Sequence, residues 1–292
     1  MQLVDKDQVA KSLGGRQLLN KSMKFLFLLC TLVGLVVLVT LIVDTVLDGW
    51  SHLTWDFLTS FSSSRPESAG IYGAIIGSVW LMAVTAPVAI VLSVGTALYL
   101  EEYAPKNRIT NFITVNISNL AGVPSVVFGL LGLTIFVRQL SLGNSVLAAG
   151  LTLALMIMPV IVVAAQEAIR AVPSSVREAS TGMGATKWQT VSRIILPAAI
   201  PGIITGIILA LSRAIGETAP LVVIGVPVSL LVTPNGVFDT FQALPMQIYN
   251  WVKMPQEEFQ YLTAAGIIIL LLILFLMNSV AIYIRNKYSK RF

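Results

Sequence analysis

Charge is what this chain has least of. Asp, Glu, Lys and Arg make up 11% of its 292 residues, where a water-soluble domain carries about 25%. That shortage excludes a soluble domain of ordinary composition. A single cysteine, Cys30, leaves no disulfide framework. Together with a single histidine, His52, it leaves no metal-ligating cluster. No GxxxxGKS or GxxxxGKT loop occurs, so nucleotide is not hydrolysed here through a P-loop. No catalytic residue and no cofactor is expected.

Apolar residues are what the chain has in excess. They make up 56% of it, and the mean hydropathy is +0.84. The apolar segments fall at roughly 25–47, 71–100, 111–137, 145–169, 198–226 and 261–284. Runs of about 20 residues match the hydrocarbon core, and in lipid only helices or closed barrels satisfy the backbone. The expectation is an all-α integral membrane protein with six transmembrane helices. The first segment reads as a span rather than a cleaved signal, because it is too long and no small-x-small site follows it. Residues 1–24 then form a cytoplasmic N-terminal segment, and 25–292 the membrane domain.

Lysine and arginine set the orientation. With the N-terminus in the cytoplasm, the inner loops hold Lys6, Lys11, Arg16, Lys21, Lys24, Lys106, Arg108, Arg170, Arg177, Lys187, Arg193, Arg285, Lys287, Lys290 and Arg291. The outer side holds only Arg65, Arg138 and Lys253. This is a strong positive-inside bias, and it puts both termini in the cytoplasm. It also accounts for the net charge of +5 without nucleic acid.

Spans two to five carry Pro87, Pro124, Pro159 and Pro220, while spans one and six carry no interior proline. Interior proline frees a carbonyl that a neighbouring helix or a wet cavity must satisfy. Spans two to five are therefore expected in a protein-facing core, with one and six at its edge. Gly73-x-x-x-Gly77 and Gly202-x-x-x-Gly206 predict close backbone approach, within the chain or against a second subunit. The outer loops are short except 48–70 and 227–260. In the second, Phe241, Leu244, Ile248 and Trp251 recur at helical spacing, interrupted near Pro245. This reads either as an interfacial helix anchored by Trp251 and Tyr249, or as an outer gate or docking surface.

Between spans four and five lies a polar, basic island at 173–197. Ser175-x-x-Glu178 and Thr186-x-x-Gln189 have capping-box spacing, and Gly182 and Gly184 allow a turn between them. The second helix runs through Trp188 and Val191 to Leu196 and meets Pro197. Two short helices would present Ala179, Met183 and Trp188 as a knob, rimmed by Arg177, Lys187 and Arg193. Such a knob can enter a cleft on a soluble partner. An amphipathic loop lying on the inner leaflet has the same local pattern.

The island also follows the pattern Glu-Ala-Ala-x3-Gly-x9-Ile-x-Leu-Pro. Glu178, Ala179, Gly184, Ile194, Leu196 and Pro197 match it, with Ser180 at the second alanine. In this the chain resembles permease subunits of binding-protein-dependent ABC importers of the type I fold. Leu211-Ser212-Arg213-Ala214-Ile215-Gly216-Glu217-Thr218-Ala219-Pro220 is similar to the signature of phosphate-specific permeases. It is closer to their A-type subunit (PstA) than to the C-type partner (PstC). Tyr99-Leu100-Glu101-Glu102-Tyr103-Ala104, Gly122-Val123-Pro124-Ser125 and Leu244-Pro245-Met246-Gln247-Ile248-Tyr249 carry the same resemblance.

That resemblance implies a multi-pass subunit of a bacterial plasma (inner) membrane transporter. Its partners would be a PstC-like permease, two copies of a phosphate-transport ATPase and an extracytoplasmic phosphate-binding protein. It also implies that the ATPase docks at the loop containing Glu178, Ala179, Gly182, Gly184, Trp188, Arg177 and Lys187.

Arg213 and Glu217 are charges set deep in the fifth apolar run, Arg213 about 22 Å beyond Ala198. A charge there needs a partner or a cavity. The pair could simply lock helix packing. Under the resemblance, Arg213 would contact passing phosphate, since guanidinium keeps its charge when desolvated and matches phosphate oxygens. Glu217 would tune affinity, or accept a hydrogen bond from protonated phosphate that sulfate cannot donate. Another oxyanion (sulfate, molybdate or tungstate) is the alternative cargo. An ion-coupled secondary transporter is a further reading, and a membrane anchor or sensor is the third class.

Overall fold

The computed structural model describes the backbone of residues 6–288 and the side chains of 16–287. The side chains of Lys6 and Lys11, and residues Lys290 and Arg291, lie outside it. Among the described residues the chain is helical, and its extended contact is one isolated bridge between Ser145 and Thr240. The elements are α1 (Lys6–Gly49), α2 (Trp55–Thr59), α3 (Tyr72–Leu98), α4 (Arg108–Leu120), α5 (Ser125–Gly132) and α6 (Val146–Arg170). They continue as α7 (Ser174–Gly182), α8 (Lys187–Thr190), α9 (Leu196–Ile215), α10 (Ala219–Ile224), α11 (Leu244–Val252) and α12 (Glu257–Tyr288). Five helices are long and apolar enough to cross a membrane, and a bent pair makes a sixth.

α6 is the hub. It packs against α3 and α9 on either side, and its apolar stretch is the most deeply buried. α3 turns the small residues Ala74, Ser78, Thr85, Ala89, Ser93 and Ala97 inward. These small residues let the α3 and α6 backbones come close, and Val84 of α3 packs over Gly150 of α6. Thr85 donates to the Gly150 carbonyl and Ser93 to that of Met158. The α9 glycines meet α6 in the same way: a side chain at Gly202 or Gly206 would strike Ala168 or Ala164. Close approach within the chain is therefore what that glycine spacing serves. Gly77 does the same where the Gln242 carbonyl crosses it.

α1 and α12 pack against each other at the edge, and the most apolar stretch of each holds no fully buried residue, while Phe259, Leu262 and Ala265 at the start of α12 are buried. The prolines divide differently from the expectation. Pro159 and Pro220 are buried, but Pro87 faces outward from α3. Pro124 is not interior to any helix.

The third apolar run is two helices, α4 and α5, meeting at 105°. Ala121-Gly122-Val123 leads into Pro124, which disfavours helical backbone at the residue before it. The fifth run is also broken, at Gly216–Thr218, and Pro220 lies in the first turn of the separate α10. At its other end it is longer than expected. Pro197 does not stop the preceding helix, because a π-helical turn at Val191–Ile195 carries the chain from α8 into α9. Lys187–Ile215 is one continuous helical rod of 29 residues, about 42 Å long.

The outer loop folds inward. Pro245 starts α11 rather than interrupting it, and Trp251 is 2% exposed against Phe57. Trp251 is thus a core residue and not an interfacial anchor. Gln247 donates to the Gly70 carbonyl, and the Leu244 amide donates to Ser78. Tyr249 stays partly exposed, under the ammonium of Lys253.

Candidate functional site

The polar island folds as a helical hairpin, α7 and α8. Its second capping box forms as the spacing predicts: the Gln189 amide donates to Thr186 Oγ1, and the Thr186 amide donates to Gln189 Oε1. The first does not form. α7 begins after Pro173, so Ser175 already lies within the helix, and no side chain caps its start. Gly184 has φ +81. Its amide donates to the Thr181 carbonyl, and the Ala185 amide donates to that of Ser180. This is a Schellman ending, which needs a left-handed residue and therefore favours glycine. Across the hairpin, the hydroxyls of Ser180 and Thr190 share a buried hydrogen bond of 2.8 Å.

The exposed surface of the hairpin carries two large apolar side chains among polar ones. Met183 is 89% exposed and Trp188 69% exposed. Glu178, Ala179 and Gly182 are exposed beside them. Arg177 is not on that rim. It turns inward, donates to the Ile169 carbonyl at 2.8 Å, and pairs with Glu102 at 3.1 Å. The Ile169 carbonyl, in the last turn of α6, also accepts from the Val172 amide, and Arg177 adds a side-chain donor to that terminus. Lys187 lies over the Tyr103 ring at 5.1 Å.

Glu102 and Tyr103 belong to a second cluster, which sequence spacing did not assign a role. A π-helical turn at Tyr99–Tyr103 ends α3. Its Glu101 accepts from Arg170 Nε at 2.9 Å, from Arg170 Nη2 at 2.6 Å and from Gln166 at 2.8 Å. Two parallel guanidinium–carboxylate bonds fix both side chains, which a single contact would not. A cavity of about 580 Å³ opens beside the cluster, lined by Lys106, Asn107, Thr110, Arg170 and Arg177 among others. The acidic pair was visible within a motif. Its partners on α6 and α7 lie about 65 to 75 positions away, beyond any helical periodicity.

Arg213 sits in the last turn of α9, where a cation complements the carbonyl end of the helix. Glu217 lies in the break itself, and the two charges stand 4.0 Å apart. The Arg213 side chain is 46% exposed on the flank of the chain, and Glu217 is 18% exposed. Of that helix, Leu209 and Arg213 are exposed, with Gly216 exposed just past its end. Its other faces are occupied. Ser212 donates to Asn278 Oδ1 of α12 at 2.8 Å, and Arg285 donates to Thr205. After the break, α10 packs on α5, with Pro220 against Gly129. The Gly-Val-Pro-Ser and Glu-Thr-Ala-Pro motifs are thereby brought together.

The arrangement holds no nucleophile with an attendant base, and no metal-ligating cluster occurs among the described residues. It combines a polar handle on one side of a helical bundle with an ion pair on the bundle's flank.

Known proteins give this arrangement a context. Phosphate transport system permease protein PstA 1 of Mycobacterium tuberculosis is 32% identical over 281 residues, 94% of this chain and 91% of that protein. Phosphate transport system permease protein PstA of Mycobacterium leprae is 37% identical over 252 residues, 82% of this chain and 80% of its own length. Among solved structures, a bacterial alginate ABC transporter in complex with an alginate pentasaccharide-bound periplasmic protein superposes with a TM-score of 0.63. It covers 98% of both chains at 16% identity, a likeness of fold. The profile of the binding-protein-dependent transport system inner membrane components matches residues 89–290. A bundle hinged on α6, with a capped hairpin feeding one long helix, is thus a transport subunit and not an enzyme, and the chain belongs to the family of binding-protein-dependent transport system inner membrane components.

Proposed function

We propose that this chain is one of the two membrane subunits of an ATP-driven importer of inorganic phosphate in the bacterial inner membrane, with both termini in the cytoplasm. The observation that carries this reading is its relationship, over nearly its whole length, to permeases named for phosphate transport. The Arg213–Glu217 pair supports it. A guanidinium half exposed on a flank that must meet either lipid or protein is costly against acyl chains. It is satisfied when a homologous permease closes over that flank and leaves a wet path for an anion.

In this reading Arg213 holds the anion by charge and by its planar donor fork. Glu217 weakens that hold enough for release and accepts a hydrogen bond from a protonated phosphate oxygen. The exposed Met183 and Trp188, with Glu178, Ala179, Gly182 and Gly184 around them, seat in an ATPase subunit. Arg177 and Lys187 tie the hairpin to the ends of α6 and α3. Closure of two ATPase subunits on ATP would then shift the hairpin and change which side of the membrane Arg213 faces. An extracytoplasmic phosphate-binding protein would supply the cargo. The permease converts one partner's closure into a change of access and does no covalent chemistry.

The test is uptake of radiolabelled phosphate into proteoliposomes holding the full complex. Uptake should need ATP and the binding protein, and Arg213→Gln should abolish it while the complex still assembles. Glu217→Gln should raise competition by sulfate. Uptake by the isolated chain without ATPase, or equal transport of sulfate by the wild type, would overturn the reading.

A further inference from the structure

We propose that Glu101 and Glu102 are positioning residues that make α3 move together with the cytoplasmic hairpin during the transport cycle. The inference rests on the importer reading above and adds to it a second route by which the hairpin acts on the membrane part. Continuity from α8 into α9 already ties the hairpin to the fifth span. Nothing in that continuity moves the second.

Three consecutive residues at the end of α3 reach three different elements. Glu101 takes both guanidinium branches of Arg170 and the amide of Gln166 on α6. Glu102 pairs with Arg177 on α7. The Tyr103 ring lies under Lys187 of α8. In a regular helix, neighbouring side chains diverge by about 100° around the axis. Here the π-helical turn at Tyr99–Tyr103 widens the helix where the three must fan out. Above these ties, Ala97 of α3 shares one apolar cluster with Val191 and Ile195 of the rod.

Both carboxylates are mostly covered, with side-chain exposures of 15% and 11%. Sliding α3 past the hairpin would part the covered Glu102 from Arg177, and sliding it past α6 would part the covered Glu101 from Arg170, so α3 is tied to the hairpin directly and through α6. Arg177 makes the link two-sided, because it also holds the Ile169 carbonyl at the end of α6. α3 and α6 are thus gripped by the same arginine-bearing turn.

A role in local stability alone would leave the stoichiometry of transport unchanged, and that is the readout. In proteoliposomes of the full complex, phosphate imported per ATP hydrolysed is measured for the wild type, Glu101→Gln, Glu102→Gln and Glu102→Asp. Charge exchange is tested with Glu102→Arg combined with Arg177→Glu. Glu102→Gln should retain its ATPase subunits and basal hydrolysis while importing about fivefold less phosphate per ATP or worse. The exchange should restore the ratio. A wild-type ratio in both glutamine variants overturns the inference. Should Glu102→Gln fail to assemble, Glu102→Asp decides: a lowered ratio supports the coupling role and a wild-type ratio removes it. Absence of ATP-driven uptake by the wild-type complex is a different failure, which takes down the importer reading itself.

Discussion

Ser180 and Thr190 hold the two arms of the polar hairpin together through one hydroxyl pair in a dry spot. Replacing Ser180 by Ala leaves Thr190 buried without that partner, at a cost of about 1–3 kcal/mol. Adding Thr190→Val should recover most of it, since removing both hydroxyls leaves nothing unsatisfied. Thermal unfolding in detergent, with all four members of the cycle, measures the coupling. Gly184→Ala should loosen the turn by about 1–2 kcal/mol through its left-handed backbone, with no steric contact involved. Reduced recovery of the ATPase subunit on that variant checks it, and unchanged recovery would separate the turn from docking. Ser180 read from sequence was a small-for-small change at an alanine position. Its hydrogen bond to Thr190 is a contact between two helices, which no one-helix pattern contains. The capping box at Thr186 is local, and was legible for that reason.

Close helix contact in this bundle depends on small residues, and their effects should differ by face. Gly206→Leu would drive a side chain into Ala164 on α6 and cost about 1–3 kcal/mol in overpacking. Gly95→Ala, on the open side of α3 with nothing nearby, should be neutral or slightly stabilising by helix propensity. Melting temperatures of the two variants give the contrast, and equal losses would refute the face assignment. The long apolar runs, the edge position of α1 and α12, and the existence of the hairpin follow from hydropathy and proline spacing. Proline alone did not distinguish its own consequences. Pro87 and Pro159 lie inside unbroken helices, Pro197 lies within the rod, and Pro124 marks a 105° turn. The difference lies in what waits for the freed chain. α5 turns away because α10 offers it a packing face at Gly129 and Pro220, and such a surface exists only after folding.

At the scale of the whole molecule, the half-exposed Arg213 makes the isolated chain incomplete. With Cys30→Ser to remove the native thiol, Arg213→Cys should react with a membrane-impermeant maleimide in the detergent-solubilised single chain. Assembly with a partner permease should protect it, and equal labelling in both states would show that this flank stays open. Lys187–Ile215 is one continuous helical stretch, and it approaches α6 closely where Gly202 and Gly206 meet Ala168 and Ala164. That crossing is a fulcrum. Trp188 lies about 24 Å to one side of it and Arg213 about 14 Å to the other, at 1.5 Å per residue. A tilt forced on the hairpin arm would therefore swing the guanidinium in the opposite sense, through a little more than half the distance, about a pivot made by a pair of missing side chains.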